Sequence, residues 1–182
     1  MTVCSERLEL IPMSAEFLRA SLRGDTAVAE GLIRASLPLD WPDVGDLLAL
    51  RLRQLEAEPS LEPWLLRGMV LRDSRVMVGH IGFHTAPGAD YLRPFSPGGV
   101  EFGFTVFPPF RRQGYAREAS VALMDWAREA HGVPSFVLSI SPENVASQAL
   151  AARLGFVRIG SHIDEEDGLE LVQERKCSTD AV

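Results

Sequence analysis

The sequence predicts one domain of mixed α/β (α+β) class, arranged around a single sheet. Two observations support this prediction. The chain has 182 residues, of which 46% are hydrophobic and 24% charged, the size and balance of a soluble globular domain with its own core. The spacing of apolar residues is helical in the first third of the chain, alternates as in strands in the middle, and changes between the two afterwards.

The first third of the chain predicts one strand followed by three helices. Residues 6–11 (ERLELI) alternate as in a strand. Ser14 is a typical N-cap for the next helix, and Gly24 ends that helix. Two more helical segments follow, on either side of the stiff loop LPLDWPD, over residues 26–36 and 44–58.

The middle of the chain predicts three strands. The segments WLLRGMVL (64–71) and VMVGHIGFH (76–84) are joined by the polar turn RDSR, a pattern typical of a hairpin. A loop rich in proline and glycine occupies residues 85–99. The segment VEFGFTVF (100–107) predicts the third strand.

The last third predicts a helix, a strand, a second helix and a closing hairpin. The first helix has the stop signals His131, Gly132 and Pro134. Its apolar stripe has helical spacing and predicts burial of Ala119, Leu123, Trp126, Ala127 and Ala130. The remaining segments are SFVLSI (135–140), ENVASQALAARLGF (143–156), FVRIGSHI (156–163) and LELVQER (169–175).

Composition argues against several classes of protein. The chain has no run of about 18 apolar residues, so we expect no membrane span. The start MTVCSERLELIP lacks the basic and apolar regions of a secretory signal. A net charge of −7 argues against a general nucleic-acid binder and is compatible with a cationic substrate such as an amine. Cys4 and Cys177 lack metal-ligand spacing, so we expect reduced thiols in a cytoplasmic protein.

The stretch FPPFRRQGYAREA (107–119) combines a strand end, a tight turn and a helix start. Free backbone N–H groups at a helix start, with the helix dipole, suit a phosphate. Gly114 permits a positive φ or a close ligand, and Arg111 and Arg112 add positive charge. The alternative is an ordinary β–α connection with two solvated arginines. Neither Gly-Lys-Ser/Thr nor Gly-x-Gly-x-x-Gly is present, which argues against a nucleoside triphosphate or NAD site.

Two motifs in this half of the chain resemble those of one family. VFPPFRRQGYA resembles the acetyl-CoA signature of the GNAT superfamily of N-acetyltransferases, Gln/Arg-x-x-Gly-x-Gly/Ala; the matching residues are Arg111, Gly114 and Ala116, preceded by Val106. ENVASQALAARLGF resembles the second motif of the family, with the matching residues Asn144, Ser147 and 154–156. The ENxAS form is most similar to the subgroup of ribosomal-protein N-terminal (alanine and serine) acetyltransferases.

The resemblance implies a fold and an activity. The implied fold is a single GNAT domain over residues 1–182, with a core from 6 to 175 and a central mixed, mostly antiparallel sheet flanked by helices. The implied activity is acetyl transfer from acetyl-CoA to a primary amine of a protein N-terminus or small molecule, by direct attack in a ternary complex and without a metal. The alternatives are a non-catalytic acyl-CoA sensor or interaction module on the same fold, and a transferase for another acyl group such as succinyl. A homodimer is expected by analogy alone.

The resemblance also implies the contacts with coenzyme A. Backbone groups around Phe104 and Val106 would pair with the pantetheine arm, the N–H groups from Arg112 to Ala116 would hold the pyrophosphate, and the second motif would face the sulfur. The full expected set is Phe104, Thr105, Val106, Arg111, Arg112, Gln113, Gly114, Tyr115, Ala116, Asn144 and Ser147. The alternative role for the last two is helix capping, and Ser141 followed by Pro142 is another candidate cap.

The two motifs specify the coenzyme contacts more closely than the catalytic groups. Glu101 is the first candidate base, about 10 Å of strand before Phe104, so it would act through a water; its alternative is an exposed strand residue. The acidic run DEEDG (164–168) is the rival base, or else a solvated hairpin tip. Many family members have a tyrosine acid where this chain has Ala151, so Ser147 or a water is expected to protonate the thiolate.

Other residues that could take part in binding or catalysis lie in less specific sequence patterns. His80 and His84 share a strand face and would reach the cleft or occupy ordinary sheet positions. Three aromatic residues on the two proline-rich loops would line an acceptor pocket or pin the loops by burial: Trp41, Tyr91 and Phe95.

Overall fold

The computed structural model describes residues 1–39, 41–42, 44–164 and 168–177. These residues contain five helices: α1 (Ala15–Leu22), α2 (Thr26–Ile33), α3 (Gly45–Ala57), α4 (Tyr115–His131) and α5 (Val145–Arg153). They also contain eight strands: β1 (Val3–Cys4), β2 (Leu8–Pro12), β3 (Leu66–Leu71), β4 (Met77–Phe83), β5 (Val100–Val106), β6 (Ser135–Ile140), β7 (Val157–Asp164) and β8 (Gly168–Lys176).

The chain divides into two compact units. The first unit comprises Met1–Gly82 and Phe104–Leu123, and the second comprises Phe83–Gly103 and Met124–Val182. Strands β4 and β5 and helix α4 each contribute residues to both units. No helix in the described part of the chain is both long enough and apolar enough to span a membrane.

The first unit contains an antiparallel arrangement of strands in the order β1-β2-β3-β4. Its β2–β3 register runs from Leu8 opposite Leu71 to Pro12 opposite Arg67. Helices α1, α2 and α3 supply apolar side chains to one core, which includes the fully buried Phe17, Ala29 and Leu48. Burial of these side chains stabilises the unit, because each removes apolar surface from water.

Trp41 belongs to the core of the first unit. Only 7% of its surface is exposed, its ring lies 6.0 Å from that of Phe17 and 6.2 Å from that of Phe107, and its Nε1 donates a 2.9 Å hydrogen bond to Ser21. Trp41 therefore pins its loop by burial, which was one of the two predicted roles. The other role, lining an acceptor pocket, is wrong for this residue.

The second unit contains both kinds of strand pairing. Its strand order is β5-β6-β8-β7; β5 and β6 are parallel, whereas β6 with β8 and β7 with β8 are antiparallel. An aromatic cluster fills its core, with ring centroids 6.1–6.4 Å apart, and consists of Phe83, Phe102, Trp126, Phe136 and Phe156. Among the described strands, the parallel β5–β6 pairing beside antiparallel ones confirms the predicted mixed, mostly antiparallel sheet and the α+β class.

Several predicted boundaries need correction. Strand β1 was not predicted, since two residues are too few for a period. Helix α2 ends at Ile33 and not at residue 36, because Arg34 has a φ of 54° and leaves the right-handed helical region. Ala130, expected in the apolar stripe of α4, is exposed, whereas Met124 is buried. The predicted stop of α4 is confirmed: the Gly132 N–H donates to the Arg128 carbonyl at a φ of 67°.

Candidate functional site

The turn after β5 places backbone donors at the start of a long helix. Residues Pro108–Phe110 form one 3-10 turn, after which Arg112 has a φ of 61° and Gly114 a φ of 86°. In the first turn of α4, which begins at Tyr115, the Glu118 N–H donates to the Gly114 carbonyl at 3.0 Å. The N–H groups just before Glu118 therefore have no partner inside the helix, and they lie at its positive end. Such a turn forms a concave site for an anion.

The two arginines of this turn differ in what they do. The Arg111 Nε donates a 3.0 Å hydrogen bond to the Val106 carbonyl, so this side chain closes the end of β5. Arg112 is exposed and brings its charge to the turn. Gln113 is also exposed, and its Nε2 donates to the Pro109 carbonyl at 3.4 Å.

Arg7 holds the turn from the N-terminal side, a contact that sequence reasoning missed. Its Nε lies 2.7 Å from Glu118 Oε2, its Nη1 donates to the Gln113 carbonyl at 3.1 Å, and its guanidinium lies 4.6 Å from the centre of the Tyr115 ring. A Cβ placed on Gly114 would lie 3.4 Å from Arg7 Nη2. The glycine is required by its positive φ, whereas this distance is one of ordinary van der Waals contact.

Glu118 fixes Arg7 through several hydrogen bonds. Its Oε1 accepts from the Ser5 hydroxyl and from the Arg7 backbone N–H, both at 2.7 Å. Burial alone would raise the pKa of Glu118, but the hydrogen bonds from Arg7 and Ser5 outweigh burial and lower it. The one sequence signal for this role was an acidic residue in the first turn of a helix.

The backbone groups of β5 alternate between the side that faces β4 and the opposite side. The His84 N–H donates to the Glu101 carbonyl in the second unit, and the Phe107 N–H donates to the Val78 carbonyl in the first unit. Odd-numbered residues of β5 therefore direct their backbone groups toward β4. Because these groups alternate along a strand, those of Phe104 and Val106 point the other way.

Glu101 lies where the parallel ladder of the second unit ends. Among the described residues of this unit, β5 pairs with β6 only at Val100 opposite Phe136 and Glu101 opposite Val137. The Glu101 carboxylate is buried, with 7% of its side chain exposed, and its Oε2 lies 3.5 Å from His84 Nδ1. The alternative of an exposed strand residue is therefore wrong.

The surroundings of Glu101 keep it ionised. Burial alone would raise its pKa, but hydrogen bonds and charge from His84, together with hydrogen bonds from Ser139 and Tyr91, lower it. His84 is more accessible, with 39% of its side chain exposed. A Cβ placed on Gly103 would lie 3.2 Å from its Nε2, so the imidazole lies against β5 beside this glycine.

Asn144 is the N-cap of α5. Its Oδ1 accepts a 3.1 Å hydrogen bond from the Ser147 N–H, which confirms the capping role. The alternative cap, Ser141, is wrong for this helix: its Oγ accepts from the Glu143 N–H at 3.3 Å and belongs to the preceding turn. Asn144 is exposed and Ser147 half-buried, whereas Ala151, at the position of the missing tyrosine, is fully buried.

Two of the remaining candidate residues, His80 and Phe95, pack against other side chains. His80 is buried, with its ring 6.4 Å from that of Trp41 and 6.1 Å from that of Phe107. Phe95 packs against the small cluster of Leu92, Val137 and Val172. Of the acidic run 164–168, residues 165–167 lie outside the described residues. Within the described ranges, no group of three or more His, Cys, Asp or Glu side chains is suited to a metal.

Comparisons with known proteins identify one family. Residues 7–157 match the family model described as an acetyltransferase (GNAT) domain. The N-acetyltransferase YnaD of Bacillus subtilis, itself uncharacterized, is 26% identical over 92 residues, which are 50% of this chain and 49% of that protein. The chain spans about half the length of the curated relatives it matches.

Solved structures of the same fold cover nearly the whole chain. The ribosomal-protein-S5-alanine acetyltransferase of Vibrio fischeri has a TM-score of 0.63 at 13% identity, covering 97% of this chain and 96% of that one. RimL, a ribosomal L7/L12 α-N-protein acetyltransferase in complex with coenzyme A, has a TM-score of 0.65 at 18% identity, covering 99% and 100%. At these identities the likeness concerns the fold alone.

Proposed function

The chain belongs to the GNAT family of acetyltransferases, and from this premise we propose that it is an acetyl-CoA-dependent N-acetyltransferase acting on a primary amine. The family match over residues 7–157 confirms the resemblance predicted from the two motifs. The single observation that carries the proposal is the turn from Arg111 to Gly114, which combines two positive φ angles with an open helix start.

The turn is the proposed pyrophosphate site. The backbone N–H groups from Arg112 to Ala116 donate to the phosphate oxygens, and the positive end of α4 favours their charge. The side chains of Arg111, Gln113 and Tyr115 shape the turn, since the first two bond to backbone carbonyls and the third packs under Arg7.

Strand β5 is the proposed pantetheine site. The backbone groups of Phe104 and the Val106 N–H point away from β4 toward the proposed ligand, while the Val106 carbonyl accepts a hydrogen bond from Arg111 Nε. The amide groups of the pantetheine arm pair with them as an added strand would, and Thr105 lies between them on the edge that faces β4. A backbone N–H at this edge polarises the thioester carbonyl and stabilises the oxyanion.

The second motif is proposed to contact the coenzyme near its sulfur. Since Asn144 Oδ1 is engaged by the Ser147 N–H, the amide NH₂ group of Asn144 is the donor offered to a ligand. The Ser147 hydroxyl, or a water, donates a proton or hydrogen bond to the departing thiolate. Capping and ligand contact are compatible because they use different atoms.

The proposed reaction is direct attack of the amine on the thioester in a ternary complex. The acceptor ammonium first loses a proton. This proton moves toward Glu101, the base predicted from sequence. The Glu101 carboxylate is buried, so an intervening group must carry this proton. Two relatives of the fold are named for acetylation of ribosomal proteins, which supports a peptide N-terminus as acceptor; a small amine is the second candidate, and the net charge of −7 favours either cation.

Coenzyme binding is tested first, by thermal unfolding. Acetyl-CoA at a hundred times its Kd is expected to stabilise the wild type by about 2.7 kcal/mol, a rise in Tm of about 5–10 °C for a chain of this size. The Gly114→Trp variant is expected to show no rise, because its indole would occupy the turn. No rise in the wild type, with the same behaviour in the variant, would contradict the proposal.

Catalysis is tested by thiol release from acetyl-CoA across small amines and N-terminal peptides. An N-acetyltransferase releases free coenzyme A in step with an acetylated amine. A sensor on the same fold binds acetyl-CoA but releases no thiol with any acceptor. Faster release from succinyl-CoA than from acetyl-CoA would assign a different acyl group.

A further inference from the structure

We propose that Arg7 is a further coenzyme-binding residue, whose Nη2 group donates hydrogen bonds to the pyrophosphate of coenzyme A. This inference rests on the proposed function, because it adds a side chain to the backbone donors of the proposed pyrophosphate site. All the groups that carry it belong to the first unit, in which Arg7 precedes β2 and the turn precedes α4. Arg7 lies outside both motifs, 106 positions before Gln113.

Contacts on three sides fix the guanidinium of Arg7 against the turn. Its Nε lies 2.7 Å from Glu118 Oε2, and its Nη1 donates to the Gln113 carbonyl at 3.1 Å. The face of the group lies 4.6 Å from the centre of the Tyr115 ring. A guanidinium held in this way has already lost much of its rotamer freedom, so a ligand binds it at a smaller cost in side-chain entropy.

The Nη2 group is the part of the guanidinium that remains for a ligand. Arginine carries five N–H donors in a planar fork. Within the described part of the chain, two of these donors are bonded, one to Glu118 and one to Gln113. Nη2 lies 3.4 Å from the position that a Cβ of Gly114 would occupy, so it lies beside the middle of the backbone donors 112–116. The Arg7 side chain is 45% exposed, so a ligand can reach it from solvent.

Charge gives a second reason for an arginine at this place. The carboxylate of Glu118 lies in the first turn of α4 and would repel a pyrophosphate bound at the same helix start. The guanidinium of Arg7 compensates that negative charge through the 2.7 Å pair. The same guanidinium offers the forked N–H donors that bind phosphate oxygens well. One side chain thus removes a repulsion and adds an attraction.

The test measures the Kd of coenzyme A by calorimetry, for Arg7→Gln and for a matched arginine. Arg19 is 43% exposed and pairs with Glu56 at 2.8 Å, so it resembles Arg7 in exposure and pairing. Arg7→Gln should bind coenzyme A about tenfold more weakly, because a charge-assisted hydrogen bond is lost. Arg19→Gln should bind coenzyme A as the wild type does. An Arg7→Gln variant with the wild-type Kd overturns the inference.

A double-mutant cycle with Glu118→Gln separates a phosphate contact from a purely structural role. If Arg7 acted only by holding Glu118, the double variant would bind coenzyme A as Glu118→Gln does. A direct contact makes Arg7→Gln cost about a further threefold in the Glu118→Gln background, since the guanidinium still faces the phosphate there. No further loss in that background overturns the inference.

Dephospho-coenzyme A identifies which phosphate Arg7 contacts. This analogue keeps the pyrophosphate and lacks the 3′-phosphate of the ribose. Arg7→Gln should lose the same factor of about ten in affinity for both ligands. A loss that disappears with the analogue assigns Arg7 to the ribose phosphate and overturns the pyrophosphate contact.

A second variant covers the case in which Arg7→Gln does not fold. Lysine keeps the charge and the ion pair with Glu118 but lacks the planar fork, so it cannot also serve Gln113 and a phosphate. Arg7→Lys should therefore raise the Kd of coenzyme A about threefold, and an unchanged Kd overturns the inference.

The wild type distinguishes the failure of this inference from that of the proposed function. A wild type that binds coenzyme A, beside an Arg7→Gln variant that binds it equally well, overturns this inference and leaves the proposed function intact. A wild type that does not bind coenzyme A overturns the proposed function, and this inference falls with it.

Discussion

The two ends of β5 carry two different kinds of chemistry. After its last residue, the turn to α4 offers backbone N–H groups, and its residues Arg111–Gly114 are exposed. Near its first residue, Glu101 and His84 offer side-chain groups, with the carboxylate buried and hydrogen-bonded. The turn depends on backbone conformation, and the pair depends on the identity of two side chains.

This difference predicts how each region responds to mutation. In the turn, changes in φ should matter more than changes in charge, because the donors belong to the backbone. In the Glu101–His84 pair, a substitution that replaces one side-chain atom by another should alter the chemistry of the pair even though the backbone conformation is unchanged. Three variants of the turn test this comparison.

The largest effect is expected for Gly114→Val. A β-branched residue at a φ of 86° is strained, and its Cβ would lie 3.4 Å from Arg7 Nη2. We expect acetyl-CoA to bind about 100-fold more weakly by calorimetry, about 2.7 kcal/mol. The control is Gly132→Val, at a φ of 67° with nothing within 4 Å of its Cβ; it should lower the Tm with unchanged affinity. Equal losses of affinity in both variants would contradict a local role for Gly114.

An intermediate effect is expected for Glu118→Gln, which weakens the hold of Arg7 on the turn. The Arg7 side chain is 45% exposed, so after solvent screening we expect a loss of about 1 kcal/mol in stability, or about 2–4 °C in Tm. Coenzyme affinity should fall about fivefold as the turn loosens. The matched control is Glu56→Gln, which breaks the 2.8 Å pair with Arg19 and should leave coenzyme affinity unchanged.

The same variant should change the pH dependence of stability. The folded pKa of Glu118 is lowered, so its contribution is present above the unfolded pKa and is lost as pH falls through the folded pKa. The difference in Tm between the wild type and Glu118→Gln should therefore be full at pH 7 and shrink as pH falls below the unfolded pKa of about 4.3. A difference that persists undiminished at pH 3 would show that the charge of Glu118 is not what holds Arg7.

The smallest effect is expected for Arg112→Gln. The substitution removes an exposed charge while leaving the backbone N–H groups in place, so affinity should fall only about threefold at low salt. At 0.5 M salt, roughly, the difference should nearly disappear, since the Debye length is then only about 4 Å. A loss as large as that of Gly114→Val, at any salt concentration, would assign phosphate binding to side chains rather than to the backbone.

Features controlled by neighbours in sequence were predictable. Ser14 caps α1 by accepting from the Phe17 N–H, and Gly132 ends α4 through a positive φ. At Gly114 the sequence left a positive φ and a close ligand as alternatives, and the structure shows a φ of 86°. Each signal acts within one turn of chain, so its physical cause is present in the local sequence.

The sequence by itself determined the order of the elements from β2 onward, the α+β class and the two family motifs. Only the tertiary structure decided that Arg7 pairs with Glu118 across 111 positions, that His84 pairs with Glu101, and that Trp41 is a core residue. Periodicity and caps are properties of short segments, whereas partners for charges and rings depend on which strands and helices pack together. The pairing of strands that brings His84 beside Glu101 depends on many contacts between residues that are distant in sequence, so no short segment predicts it.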